Sequence, residues 1–80
     1  MKLTPTIIET LNDNANRAGF EGLQSNTDLF KFGVLDSFSL VEIVSLIESE
    51  YGISVPDSDV EPVNFQTIDT IESYISSREN

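Results

Sequence analysis

The residue best placed to do chemistry is Ser37, which directly follows Asp36 at the predicted start of a helix. A hydroxyl at a helix start can point into solvent, and a phosphodiester attached to it would lie beside free backbone N–H groups at the positive end of the helix dipole. The alternative is that Ser37 only shares helix capping with Asp36, which is the commoner explanation of such a pair. The spacing alone leaves both interpretations open.

The composition excludes most catalytic and metal chemistry. The chain contains no histidine and no cysteine, which removes Ser-His-Asp and Cys-His catalysis, thiolate sites and most zinc ligand sets. The segment from Asp57 to Glu61 is similar to a calcium loop, but Pro62 and Ile68 stand where that loop needs glycine and a bidentate glutamate. A hydrolase using Ser37 would also lack a Gly-x-Ser-x-Gly turn. We therefore expect neither an enzyme nor a metal site.

The balance of charges is strongly acidic. Fourteen acidic and four basic residues give a net charge of −10 and a pI near 4.1. Such a chain repels nucleic acids and anionic membranes and attracts basic protein surfaces. Between Lys31 and Arg78 there are nine acids and no base. Because pairing with lysines along a helix would otherwise add stability, this pattern favours an acidic surface for docking over a merely solvated one.

The length and the apolar pattern predict a single helical domain over residues 1–80. Apolar residues make up 39% of the chain, enough for a folded core. No targeting or membrane-spanning segment is predicted, and we expect a cytoplasmic location. Helical periodicity predicts helices from Thr4 or Pro5 to Arg17, from Ser37 to Tyr51, from Asp57 to Glu61 with Pro62 closing it, and from the cap Thr67 to about Ser77.

A long connection over residues 20–36 separates the first two helices and is predicted to lie pinned on the core. It carries many large apolar side chains, whose burial is favourable, among them Leu23, Leu29, Phe30, Phe32, Val34 and Leu35. Within it, Asn26-Thr27-Asp28 predicts a capped single turn. The predicted fold is all-α, a small antiparallel bundle of three longer helices plus one short helix, with a long structured loop between helices 1 and 2.

Several short motifs occur in a fixed order along the chain. They are Gly33 three residues before Asp36, then Asp36-Ser37-Phe38-Ser39-Leu40-Val41-Glu42, Ile47-Glu48-Ser49-Glu50-Tyr51, Ile53-Ser54-Val55-Pro56-Asp57 and Thr67-Ile68-Asp69-Thr70-Ile71. Any one of them is a weak signal. Together, in this order and at this spacing, they make most of the chain resemble the acyl carrier proteins.

The resemblance implies a carrier and not a catalyst. It implies that Ser37 is modified with 4′-phosphopantetheine from coenzyme A, and that the thiol of this arm holds an acyl or aminoacyl group as a thioester. The implied partners are a phosphopantetheinyl transferase, a loading ligase and downstream acyl-processing enzymes with basic docking surfaces. The implied setting is fatty-acid or secondary-metabolite biosynthesis, with the carrier a monomer. The alternative from another class is a small acidic helical interaction module without modification.

The predicted partner-binding residues cluster around the serine motif and the segment after the second helix: Leu35, Asp36, Phe38, Glu42, Ser45, Glu48, Val60 and Glu61. Two of them depart from the pattern of fatty-acid carriers, since Phe38 replaces the usual leucine and Ser45 a frequent methionine. With Leu35-Asp36-Ser37-Phe38 followed by Asn64-Phe65-x-Thr67-Ile68, the sequence is more similar to stand-alone carriers of amino acids, including the D-alanyl type, or of specialised acyl groups. We expect Phe38 to be exposed beside the arm and the other aromatic side chains to anchor the core or the loop.

Overall fold

A computed structural model describes residues 2–79 and contains only helices and connecting segments over that range. The longer helices are α1 (Pro5–Arg17), α2 (Ser37–Tyr51) and α4 (Ile68–Arg78), and α3 (Pro62–Phe65) is a single turn preceded by a 3-10 turn over Asp57–Asp59. The predicted all-α class is confirmed. Between residues 2 and 79, no helix combines the length and the apolar character that crossing a membrane requires.

Contacts at their ends show that α1 and α2 run antiparallel. The hydroxyl of Tyr51, at the end of α2, accepts a hydrogen bond of 3.0 Å from the backbone N–H of Thr4, at the start of α1. At the opposite end, the last turn of α1 faces the first turn of α2 across a cleft lined by Arg17 and Ser39. The predicted orientation of the first two helices is therefore correct.

The core takes side chains from all the α-helices and from the long loop. Its largest fully buried members are Phe65, Ile7, Leu11, Leu29, Leu35, Ile43, Ile47, Ile71, Ile75 and Val34. The loop is pinned as predicted, because the backbone N–H of Leu29 donates to the carbonyl of Gln66 at 2.8 Å. Phe32 differs from its prediction as an anchor, since 43% of it stays exposed. Its ring instead stacks on Phe20, with the centroids 4.8 Å apart.

The short helix predicted from Asp57 to Glu61 forms later in the chain than expected. Only the 3-10 turn forms there, and Pro62 begins α3 instead of closing a helix. Proline suits a first helical position because its missing N–H has no partner there in any case. Glu61, the residue before it, is extended at φ −136° and ψ 149°, as the ring of a following proline requires.

Carboxylates tie this segment to the neighbouring helices. Glu48 accepts a hydrogen bond of 2.9 Å from the backbone N–H of Val55, and the Tyr74 hydroxyl donates to Asp59 at 2.7 Å. Burial, together with the hydrogen bond to Asp59, raises the pKa of Tyr74 to about 12. In α4, Glu72 is half-buried and accepts from the backbone N–H of Leu3 at 3.0 Å.

The core prediction concerns Ile71, which is fully buried in α4. Ile71→Ala should lower the free energy of unfolding by about 2–4 kcal/mol, because it removes buried methyl groups and leaves a cavity. Urea unfolding followed by circular dichroism measures this loss. The control is Ser73→Ala at an exposed position of the same helix, which should change stability by less than about 0.5 kcal/mol. Equal losses in the two variants would contradict the placement of the core.

Candidate functional site

The backbone before α2 brings the Asp36–Ser37 pair to the surface. Gly33 has a φ of +75°, a left-handed conformation that side chains disfavour. Val34 and Leu35 then enter the core, each only 1% exposed. The backbone N–H of Leu35 donates to the carbonyl of Leu29 at 3.0 Å. Because the two residues before Asp36 are fixed in this way, the helix start emerges at a defined point of the surface.

Asp36 and Ser39 form a reciprocal cap at the start of α2. The Asp36 Oδ1 accepts from the backbone N–H groups of Phe38 and Ser39, both at 2.9 Å, and the Ser39 Oγ accepts from the backbone N–H of Asp36 at 2.8 Å. The backbone and side-chain hydrogen bonds from Ser39, with that from Phe38, hold the pKa of Asp36 below its ordinary value. The carboxylate is therefore ionised and committed to the cap.

Ser37 lies between these two residues and takes no part in the cap. The capping interpretation of Ser37 is wrong, because the second capping side chain is Ser39. Ser37 is exposed, so its hydroxyl is accessible to an external enzyme. One further expectation needs correction. The backbone N–H groups of Phe38 and Ser39 are bonded to Asp36, so a phosphate on Ser37 would gain the helix dipole but not these donors.

The predicted partner-binding residues divide into exposed and buried positions. Phe38 is 88% exposed, and Asp36, Glu42, Ser45 and Glu61 are exposed as well, whereas Glu48 and Val60 are half-buried. The prediction that Leu35 binds partners is wrong, because its side chain lies in the core at 1% exposure and offers no surface to a partner.

Val41, which is 58% exposed, was not predicted as a surface residue. Helical spacing could have found it, since it follows Phe38 by three residues and so shares its face. Phe38, Val41, Glu42 and Ser45 then form one exposed strip of α2, called here the docking face. Val63 of α3, also missed, is 65% exposed.

The carboxylate beside Ser37 is poorly suited to act as a base. Asp36 is the acid next to Ser37 in the chain, and three donors converge on its Oδ1, the third being the Ser39 hydroxyl at 3.1 Å. A carboxylate held by hydrogen bonds with a lowered pKa is a poor proton acceptor. We therefore do not expect Asp36 to deprotonate the Ser37 hydroxyl.

Comparisons with known proteins agree with this geometry. A family model described as "Phosphopantetheine attachment site" matches residues 5–75. "Probable acyl carrier protein PigG" from Serratia sp. is 27% identical over 55 residues, which cover 69% of this chain and 63% of that protein. "Aminoacyl carrier protein 1" from Bradyrhizobium diazoefficiens is 30% identical over 44 residues, 55% of this chain and 49% of that protein. Each match spans less than two thirds of the relative's length.

The cap makes a prediction about pH. Asp36→Ala should lower the melting temperature at neutral pH, because the first-turn N–H groups lose their acceptor. Since the pKa of Asp36 is lowered by folding, this contribution is present above the unfolded value of about 3.9 and is lost as pH falls through the folded value. The difference in melting temperature between wild type and variant should therefore become smaller as pH falls. Thermal melts from neutral pH to below about pH 3 measure this difference.

Asp36→Asn is the matched control for this prediction. Asparagine caps helices as well as aspartate does, so the variant should keep most of the melting temperature and lose only the dependence on this titration. A gap between wild type and Asp36→Ala that stays constant from neutral to acid pH would contradict the assignment of Asp36 as an ionised cap.

Proposed function

The chain belongs to the acyl carrier protein family, whose members carry a covalently attached 4′-phosphopantetheine group, and we propose that Ser37 is the attachment residue in this protein. The observation that carries the proposal is an exposed serine at the first residue of a capped helix, free of capping duty itself. The residues present fit the group, because the hydroxyl is accessible and the positive end of the α2 dipole favours a phosphate's negative charge.

The chain supplies position and the arm supplies the reactive group. When bound, phosphopantetheine provides a thiol that holds an acyl or aminoacyl group as a thioester, which a protein without cysteine cannot otherwise offer. Ser37 provides the ester oxygen that anchors the arm. The cap formed by Asp36 and Ser39 holds the first turn of α2, so the anchor stays at a fixed point of the surface.

Modification is proposed to need a separate phosphopantetheinyl transferase. The transferase has to accept the proton of the Ser37 hydroxyl, because the Asp36 carboxylate is engaged by three donors and the chain has no histidine. A purely chemical reaction of the isolated chain with coenzyme A is therefore not expected.

The docking face and the acids beside it are the proposed surface for this transferase, for a loading ligase and for acyl-processing enzymes. Basic partner surfaces would be attracted by the uncompensated acids, which raises association rates. The exposed Phe38 and Val41 would then provide apolar contact. An acyl or an aminoacyl cargo is proposed, because the matched relatives are named as an acyl and an aminoacyl carrier. A cytoplasmic location is proposed as well.

The proposal predicts the behaviour of Ser37→Ala. The variant should fold with an unchanged melting temperature, since its side chain takes no part in the cap, but should never gain the mass of a phosphopantetheinyl group. The measurement is intact mass after incubation with coenzyme A and a promiscuous transferase. Ser49→Ala, an exposed serine on the same helix and outside the docking face, is the control and should be fully modified. Modification at Ser39 or of the alanine variant would contradict the assignment. If the wild-type protein gains no mass with an active transferase, the result would favour the alternative function, an acidic interaction module without modification.

Phe38→Ala should separate partner binding from folding. Because the ring is 88% exposed, the melting temperature should stay nearly constant. The kcat/KM for modification should fall by about tenfold, the loss expected for one interface anchor of about 1.4 kcal/mol. Ser49→Ala again serves as the reference for both measurements. A large loss of stability with unchanged kcat/KM would place the ring in the core and remove it from the proposed interface.

A further inference from the structure

A polar cleft separates the last turn of α1 from the first turn of α2. Its volume is about 420 Å³, and its walls include Asn14 and Arg17 from α1 and Asp36, Phe38 and Glu42 from the α2 side. Asp36 and Phe38 are the chain neighbours of Ser37, so the cleft begins beside the proposed attachment point.

Asn14 gives this cleft an unsatisfied donor. The side chain is only 8% exposed, and it is the one buried polar or charged residue of the described chain. Arg17 donates to its Oδ1 at 2.7 Å, which fixes the orientation of the amide. The Nδ2 group then has no hydrogen-bond partner. Because a buried donor without an acceptor is unfavourable and uncommon in folded proteins, this amide indicates a missing acceptor.

The charges of the cleft define the chemistry of that acceptor. Asp36 and Glu42 outnumber the single cation Arg17, so a free anion would be repelled. An aliphatic chain would find few apolar walls. A neutral group with alternating carbonyl and N–H functions fits both sets of partners, since its carbonyl can accept from Asn14 and its N–H can donate to a carboxylate. The pantetheine portion of the arm, with its two amides, has this character.

We propose that the cleft between α1 and α2 is a resting site for the pantetheine portion of the arm, with Asn14 Nδ2 donating to one of its amide carbonyls. The inference rests on attachment at Ser37. Nδ2 has almost no exposed area, so side chains that line the cleft have to move aside to admit the carbonyl. In this position the arm is held beside α2 between visits to partner enzymes.

Nuclear magnetic resonance of the ¹⁵N-labelled protein tests the proposal before and after modification, with intact mass as the measure of attachment. The side-chain amide of Asn14 should shift and exchange more slowly with solvent in the modified protein, and should show nuclear Overhauser contacts to pantetheine protons. Asn16, an exposed asparagine of the same helix, should show none of these changes. Its amide is the internal control.

A variant tests the same contact from the side of the arm. Asn14→Leu keeps the branching at Cγ but removes the donor, so the amides of a ¹⁵N-labelled arm should become as mobile as those of a free flexible chain. Asn16→Leu should leave arm mobility unchanged. If Asn14→Leu does not fold, the wild-type amide comparison still decides the matter.

The outcomes separate this proposal from the one it rests on. Complete mass gain with an unshifted Asn14 amide would overturn the resting site and leave the attachment at Ser37 intact. No mass gain in the presence of an active transferase would overturn the attachment, and the resting site with it. Complete mass gain with contacts confined to Asn14 would support both.

Discussion

The start of α2 depends on one interaction, the reciprocal cap between Asp36 and Ser39. It satisfies two first-turn N–H groups and the N–H of Asp36 itself, and it does so without using Ser37. Burial of Leu35 immediately before the cap fixes where the helix begins. A hydroxyl that had to cap the helix would be bonded inward and unavailable. Because Asp36 and Ser39 cap the helix between them, Ser37 stays exposed at a fixed helix start.

The acidic composition serves two purposes that only the structure separates. Some carboxylates are internal hydrogen-bond acceptors, as Glu48 is for Val55 and Glu72 for Leu3. Each ties a connecting segment to a helix, which matters in a domain too small to rely on its core alone. Others, such as Glu42, are exposed on the docking face. Counting acids thus overstates the number of carboxylates that are free for direct contact with a partner, because some are engaged in internal hydrogen bonds.

Sequence patterns predicted the parts of the structure that local physics controls. The ends of α2 follow from the cap at Asp36 and from Gly52, whose left-handed φ of 65° ends the helix, and both are visible in the sequence. The errors lie where tertiary contacts decide. A proline such as Pro62 is compatible with either the end or the start of a helix, and here it begins α3. Leu35 belongs to the serine motif, but its side chain is buried in the core. The choice of Ser39 over Ser37 as the second capping residue is a further case, since it depends on side-chain geometry.

In the proposed function, the exposed ring of Phe38 would help one small surface to bind several enzymes. An aromatic side chain exposed to water does not stabilise the fold. Packed against a partner, it buries a large apolar area and has few rotatable bonds to restrict. Long-range attraction by the acids acts mainly on the rate of encounter, and apolar contact acts mainly on the rate of release. A single strip from Phe38 to Ser45 offers limited contact area. Encounter with a basic partner would then be fast while release stays fast too, which is the combination that a carrier needs to pass between enzymes.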